Sequence, residues 1–471
     1  MPVREDTYKR HTARPHRLWP VATVWSCIFL LSFTSPLCAK NFVVAHDGPI
    51  SSIRDAVASA QPGDTIEVHP GTYTGNLVLD KPLTLVGMGK PVVRGDGRGS
   101  VITVTGGHCT IRGFVVERSG EMLVDEDSGI LLKSGYNRIE GNELRDVLFG
   151  IYLYSAEHNQ LVANTIRGRP LPDLGERGNG IHIWNAGDNT IINNTITDAR
   201  DGMYLQNAHN STIRGNRVYN LRYGLHYMYS DDNVFEDNVF ANDVAGAAIM
   251  YSRNVQLRRN AFIHNRGFSS FGILFQGTEE CLAEDNIIAD NVVGLFLETH
   301  SHSIFRRNLV ASNDVALEVF SSAADNTFES NNFVDNLNPL QVVGKGTDTN
   351  WNGAQAGNYW SDYEGYDLDA DGVGDIPFKI QNVFEHLEGN YPRLRIYLLS
   401  PGSQALALAE KGFPVIEGSK EFDQRPLMRP VDLSYTLLEV SGKPMIHLAS
   451  FVLPMVMVLF SLVVIRQGKR R

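Results

Sequence analysis

The sequence predicts an all-β chain folded as a right-handed, single-stranded parallel β-helix of about 22 residues per coil, with a helical cap at its N-terminal end and a C-terminal transmembrane helix. Three observations carry the solenoid. Between Ser128 and Asn336 a small residue, a short apolar run, a polar turn and an Asn recur, with Asn142, Asn164, Asn194, Asn216, Asn238, Asn260, Asn286, Asn308 and Asn331 spaced by 22, 30, 22, 22, 22, 26, 22 and 23 residues. A period of that size marks units that bury their apolar faces only by stacking on one another. The run after each small residue alternates, as in Ile181 and Ile183 or Met203 and Leu205, which is the period of a short strand with one face inward. No unit holds an amphipathic stretch long enough for a helix, which disfavours leucine-rich and helical repeats.

Residues 1–39 read as a secretory signal: Arg14 and Arg17 precede the apolar run Leu18 to Leu31, and Leu37-Cys38-Ala39 places cleavage after Ala39. The expected mature protein is exported. Those 39 residues carry five basic and two acidic side chains, so without them the formal net charge moves from −11 to −14. A chain that acidic excludes nucleic acid as a partner. Cys109 and Cys281 are the cysteines left; about seven coils apart at ~4.8 Å per coil, they lie too far from each other for a disulfide.

Residues 40–127 predict a capped start with irregular first coils. Ser51 to Ala60 forms a short helix with a Ser N-cap, closed by Pro62-Gly63, and plugs the open end of the barrel against unpaired strand edges. From 128 to 345 the coils are regular, and the recurring Asn stacks as a corner ladder of side-chain amides. Two insertions interrupt them, Arg169 to Asn179 and Arg266 to Ser270. Loops on a rigid scaffold are common recognition elements.

In-register stacking turns the second and fourth residues after each small residue into two outward columns. One reads Tyr152, His182, Tyr204, His226, Ala248, Leu274 and Phe296; the other reads Tyr154, Trp184, Gln206, Met228, Met250, Gln276 and Glu298. His226 and Met228 then emerge about 7 Å apart on one face, with Met250 one coil above Met228. Imidazole and thioether suit copper, the thioethers favouring Cu(I), so His226, Met228, Met250 and His182 are the candidate copper ligands. The same face serves equally as an aromatic, Met-rich partner surface without metal, with Tyr152, Tyr154, Trp184, Tyr204 and Phe296 as contacts. Carboxylate chemistry is the competing expectation, because β-helices that act on polysaccharides group acidic and basic residues in a groove. Here Asp231 and Asp232 fall at a turn, Asp188 and Asp201 show no evident partner, and no catalytic residue is assigned.

Residues 346–382 are Asp-rich. Asp367, Asp369, Asp371 and Asp375 occupy positions one, three, five and nine of an EF-type loop with Gly372 at six, although Phe378 replaces the closing Glu; the expectation is a structural Ca²⁺ site. Residues 383–444 read as an extended docking arm. Residues 445–465 carry no formal charge and, at 1.5 Å each, just cross a hydrocarbon core of ~30 Å. Arg466, Lys469, Arg470 and Arg471 follow, which places the solenoid outside the inner membrane and residues 466–471 in the cytoplasm.

Gly63-Asp64-Thr65-Ile66 with Pro70-Gly71-Thr72-Tyr73, the coil start Arg177-Gly178-Asn179-Gly180-Ile181, and Asn358-Tyr359-Trp360 followed by Asp367 to Asp375 resemble the NosD family, over about residues 41–430. The resemblance implies a non-enzymatic periplasmic β-helix that serves assembly of the copper centres of nitrous oxide reductase. It also implies partners: an ABC-type membrane subunit, a cytoplasmic ATPase, a lipoprotein copper chaperone that supplies the metal, and the apo-reductase that receives it. Under that implication His226, Met228 and Met250 become a transient Cu(I) site. The β-helix portion alone is shared with carbohydrate-active proteins, so a polysaccharide lyase, epimerase or carbohydrate-binding protein stands as the alternative.

Overall fold

The alternation of apolar and polar residues is realised as a parallel β-solenoid of about 14 turns with about 22 residues per turn. The computed structural model describes residues 39–344, 346–353, 356–381, 384, 387, 391–397, 400–412 and 421–433. One turn shows the plan. Asp201–Gln206, Thr212–Arg214 and Arg217–Tyr219 each pair in parallel with their counterparts one turn on. Met203, Leu205, Ile213 and Val218 point into the barrel and are fully buried, so each turn presents an apolar layer that only the next layer can cover.

The corners hold the turns in register. Asn216 donates its backbone N–H and its Nδ2 to Asn238 Oδ1, both at 2.9 Å, and its Nδ2 also to the Ile191 carbonyl at 2.9 Å. The same bonds recur from Asn142 to Asn358 without a gap. They satisfy backbone groups that a buried corner shuts off from water. A second column of hydrogen-bonding side chains lies five residues earlier, through Asn137, Asn159, Asn189, Ser211 and Asn233. Cys109 and Cys281 occupy slots of that column, buried and unbridged. A third lies five residues later, through Asp243, Asn265, Asn291, Asn313 and Asn336.

Both ends are closed. The helix Ile53–Ser59, capped by the Ser52 side chain accepting from Asp55 N–H, buries Ile53, Ala56 and Val57 against the first strands. At the far end, stacking continues past residue 345: Asp348–Asn350 pairs with Ala324–Glu329, and Tyr359–Trp360 pairs with Asn332 and Phe333. Residues 421–433, within the expected docking arm, return to this last turn. Asp423 accepts from Asn358 N–H at 2.7 Å and from Trp360 Nε1 at 2.9 Å, ending the Asn ladder on a buried carboxylate, and Glu421 accepts from Trp351 Nε1 at 2.9 Å. Among the described residues no helix is long and apolar enough to cross a membrane. The expected signal before Ala39, the span 445–465 and the tail 466–471 lie outside the described residues.

Three insertions leave the solenoid at one and the same corner. Residues 118–127 separate Val115–Glu117 from Ser128–Leu132, residues 169–180 separate Thr165–Gly168 from Ile181–Trp184, and residues 264–270 separate Ala261–Ile263 from Phe271–Glu279. The first was hidden among the irregular opening coils. Between the second and third, the turns of Asp201, Tyr223 and Ala245 carry no insertion. Four rung spacings of ~4.8 Å make that gap about 19 Å wide.

Candidate functional site

The site in this gap grows from one buried carboxylate. Asp201, which showed no partner in the sequence, has three. Arg222 grips it with Nε at 2.8 Å from Oδ1 and Nη2 at 2.7 Å from Oδ2, His226 Nδ1 lies 3.1 Å from Oδ2, and Arg200 Nε lies 3.7 Å from Oδ2. Arg222 and His226 are 21 and 25 residues away in the chain but one turn away in space. Burial alone raises the Asp201 carboxyl; hydrogen bonds from His226 and Arg222 outweigh it and hold the group below the usual range, ionised. A carboxylate can only accept, so His226 donates through Nδ1, which leaves Nε2 as the ring atom that faces a ligand. Metal-binding imidazoles are commonly oriented by a carboxylate in this way.

His226 is 16% exposed at its side chain. Met228, two residues on, and Met250, its register partner in the next turn, are half-buried in the same outward column. The residue paired with His226 in that next turn is the small Ala248. Of the candidate copper ligands, the structure therefore brings these three together and leaves His182 apart. His182 stands two turns below, with the Tyr204 ring between it and His226 at centroid distances of 4.6 and 4.9 Å. It is 6% exposed, the Asn179 amide is 3.4 Å from its Nδ1, and its Nε2 has no partner. Burial, followed by the charge of Arg200, pushes its pKa down to about 3, so the ring is neutral.

Of the expected contact residues, Tyr154 is exposed and Trp184, Tyr204 and Phe296 are half-buried, whereas Tyr152 is only 3% exposed. Tyr152 and His182 do point away from the core, yet Glu126 and Asn179, from the first two insertions, reach them from outside. Alternation distinguishes outward from inward; it does not show that a loop lies over an outward residue. The third insertion ends the gap on the other side and carries Phe268, 97% exposed. At the far end of the chain Asp367, Asp369 and Asp371 bring carboxylate oxygens within 4.8 Å of one another. Asp375 turns instead to the Leu368 N–H at 2.7 Å.

Residues 167–365 match a family model described as NosD, periplasmic copper-binding protein. The probable ABC transporter binding protein NosD of Pseudomonas aeruginosa is 36% identical over 420 residues, which cover 83% of this chain and 97% of that protein. The protein of the same name from Stutzerimonas stutzeri is 34% identical over 376 residues, covering 76% and 85%. Among solved structures, the Dettilon tailspike protein gp208 is similar in fold, with a TM-score of 0.51 and 15% identity over 62% of this chain and 68% of that one.

Proposed function

This chain belongs to the NosD family, and from that premise we propose that it is a periplasmic binding protein of an ABC-type complex that carries Cu(I) on its way to the copper centres of nitrous oxide reductase. Copper is cargo in this reading, held briefly by His226, Met228 and Met250. The observation that carries it is the Asp201–His226 pair beside the register pair Met228–Met250. One oriented imidazole and two thioethers form a soft, low-charge donor set that favours Cu(I) over divalent ions. An open set of neutral donors also lets the ion leave. Neither cysteine offers a competing thiolate: burial raises the Cys109 thiol, and pushes Cys281 up to about 12. His182 is a packing residue here, since Tyr204 separates it from the ion.

The partners follow the family resemblance: a lipoprotein chaperone delivers the ion, the reductase receives it, and the complex's membrane subunit and cytoplasmic ATPase work at the inner membrane to which residues 445–465 tether the chain. Asp367, Asp369 and Asp371 hold a structural Ca²⁺ near the end of the solenoid. The test of the main reading is competition for Cu(I) against a chromophoric chelator under reducing conditions. The double variant His226→Ala, Met228→Ala loses copper and fails to support reductase maturation, with an unchanged circular dichroism spectrum. Copper binding and maturation equal to wild type overturn the assignment. The polysaccharide-enzyme alternative meets a specific obstacle: Asp201 has both oxygens engaged and no exposed surface, so it reaches no substrate proton.

A further inference from the structure

A chemically different cluster lies at another corner, in the turns that follow Phe149–Tyr154 and Ile181–Trp184. Glu157, His158 and Asp188 are exposed, and each offers a ligand atom within 4.8 Å of the other two. His158 Nε2 stands 4.0 Å from Asp188 Oδ2. The backbone sets this up: His158 and Asp188 occupy the same left-handed corner position one turn apart, with φ of 56° and 55°. Tyr136, one turn below, stacks on the imidazole at 4.8 Å. Gly135 and Gly187 flank Glu157 in the turns below and above, so no neighbouring side chain of that column crowds its carboxylate.

Two contrasts on this molecule show that the grouping is unusual. Elsewhere, several surface carboxylates that face a neighbouring turn meet an arginine, as in Asp146–Arg169, Asp237–Arg259 and Asp285–Arg307, although Asp325 faces His302 and Asp232 meets Asn254. At Glu157 and Asp188 no guanidinium or ammonium group pairs with either carboxylate among the described residues. One turn above Asp188's, His209 Nδ1 is taken by the Asp231 N–H at 2.9 Å, whereas no hydrogen bond among the described residues occupies the ring nitrogens of His158. Two carboxylates this close repel unless a cation joins them.

We propose that Glu157, His158 and Asp188 form a second metal site, specific for a divalent first-row ion of the Zn²⁺ type, with three chain ligands and an open position for water. One imidazole and two carboxylates are harder donors than the thioether column, and they select against Cu(I). The site spans the second and third turns below His226, about 10–14 Å along the axis at ~4.8 Å per turn, so the two sites are independent. Donor softness then sorts two metals onto one scaffold.

Calorimetric titration of the untagged full-length chain with Zn²⁺, and with Co²⁺ followed by its visible absorption, tests this. Outer-shell partners alone are worth about 10–100-fold in metal affinity, so losing a direct ligand in His158→Ala is expected to weaken Zn²⁺ binding by ~100-fold or more and abolish the Co²⁺ band. Asp188→Asn shows the same direction with a smaller loss. The variant His226→Ala, Met228→Ala keeps full Zn²⁺ affinity. All three ligands are exposed, so metal-free melting curves of the variants match wild type. Absence of Zn²⁺ uptake by wild type at tens of micromolar, or equal uptake by His158→Ala, overturns the site.

Discussion

Two corners of the solenoid, five residues apart in every turn, follow different rules. At the first, Asn recurs in each turn from Asn142 to Asn358, all within one hydrogen-bonded ladder, and no insertion enters between Asn142 and Asn331; only the last step is longer, where residues 351–358 separate Asp348–Asn350 from Tyr359–Trp360. At the second, the column runs Val147, Arg169, Ala199 and Leu221 before it reaches Asp243, Asn265, Asn291, Asn313 and Asn336, and the insertions at 118–127, 169–180 and 264–270 emerge beside it. The Asp201–His226 cluster sits where this second column lacks amides. A corner whose backbone is satisfied turn by turn keeps its length through the regular turns. The corner that gives up that constraint can host loops and buried charge, so rigidity and chemistry divide between two positions of one repeat.

The strongest way to break this comparison is to remove an amide from each corner. Asn238→Ala strips Asn216 of the acceptor for its backbone N–H and the Ile213 carbonyl of its side-chain donor. Buried groups left unmet cost about 1–3 kcal/mol each, so the loss is expected to exceed ~3 kcal/mol in urea unfolding. Asn265→Ala leaves chiefly the Asp243 N–H unmet and is expected to cost about half as much. Equal losses at the two positions would mean that both corners bear the same load.

Next in size is the carboxylate behind His226. Asp201→Asn keeps the shape but replaces an obligatory acceptor with a group that also donates, so the Nδ1 proton is no longer enforced. Competition titration is expected to show Cu(I) affinity weakened about 10–100-fold, the range for outer-shell partners of metal ligands. Unchanged affinity would reduce Asp201 to a structural ion-pair partner of Arg222.

Period and alternation made the fold legible, because stacking demands that each turn repeat the same spacing. The outward columns were legible too: Met228 and Met250 are register partners as their equal offsets imply. What escaped depended on which residue stands one turn away. Asp201 meets Arg222 and His226 only once the turn length between them is counted, and Glu157, His158 and Asp188 converge only across the longer turn. The cover over Tyr152 and His182 comes from loops whose path no periodicity describes. The five-residue offset of Asn265, Asn291, Asn313 and Asn336 is visible in the letters, but a single Asn per turn had already accounted for the period. Asn358 looked like the start of another segment because the longer interval before it hides the last rung.

The smallest expected effect sharpens the comparison most, because it asks whether the second corner is an interrupted amide ladder. Asp243 is 2% exposed and stands in the slot that Asn265 fills one turn on; its Oδ1 accepts from the Leu221 N–H at 2.9 Å, and its Oδ2 has no partner. Burial raises its pKa well above the ordinary value, the Leu221 bond offsets part of this, and the nearby Asp201 charge adds to it. The folded chain therefore keeps a proton that the unfolded chain releases above about pH 3.9. With more protons bound in the fold, stability falls as pH rises from about 4 toward the raised native value. Asp243→Asn supplies the amide and removes that slope. Urea unfolding is expected to show little difference between variant and wild type near pH 4, and a stability gain for the variant that grows as pH rises to about 7.5. A gap that stays constant with pH would show that Asp243 is no protonated stand-in for Asn, and that the ladder at this corner begins at Asn265.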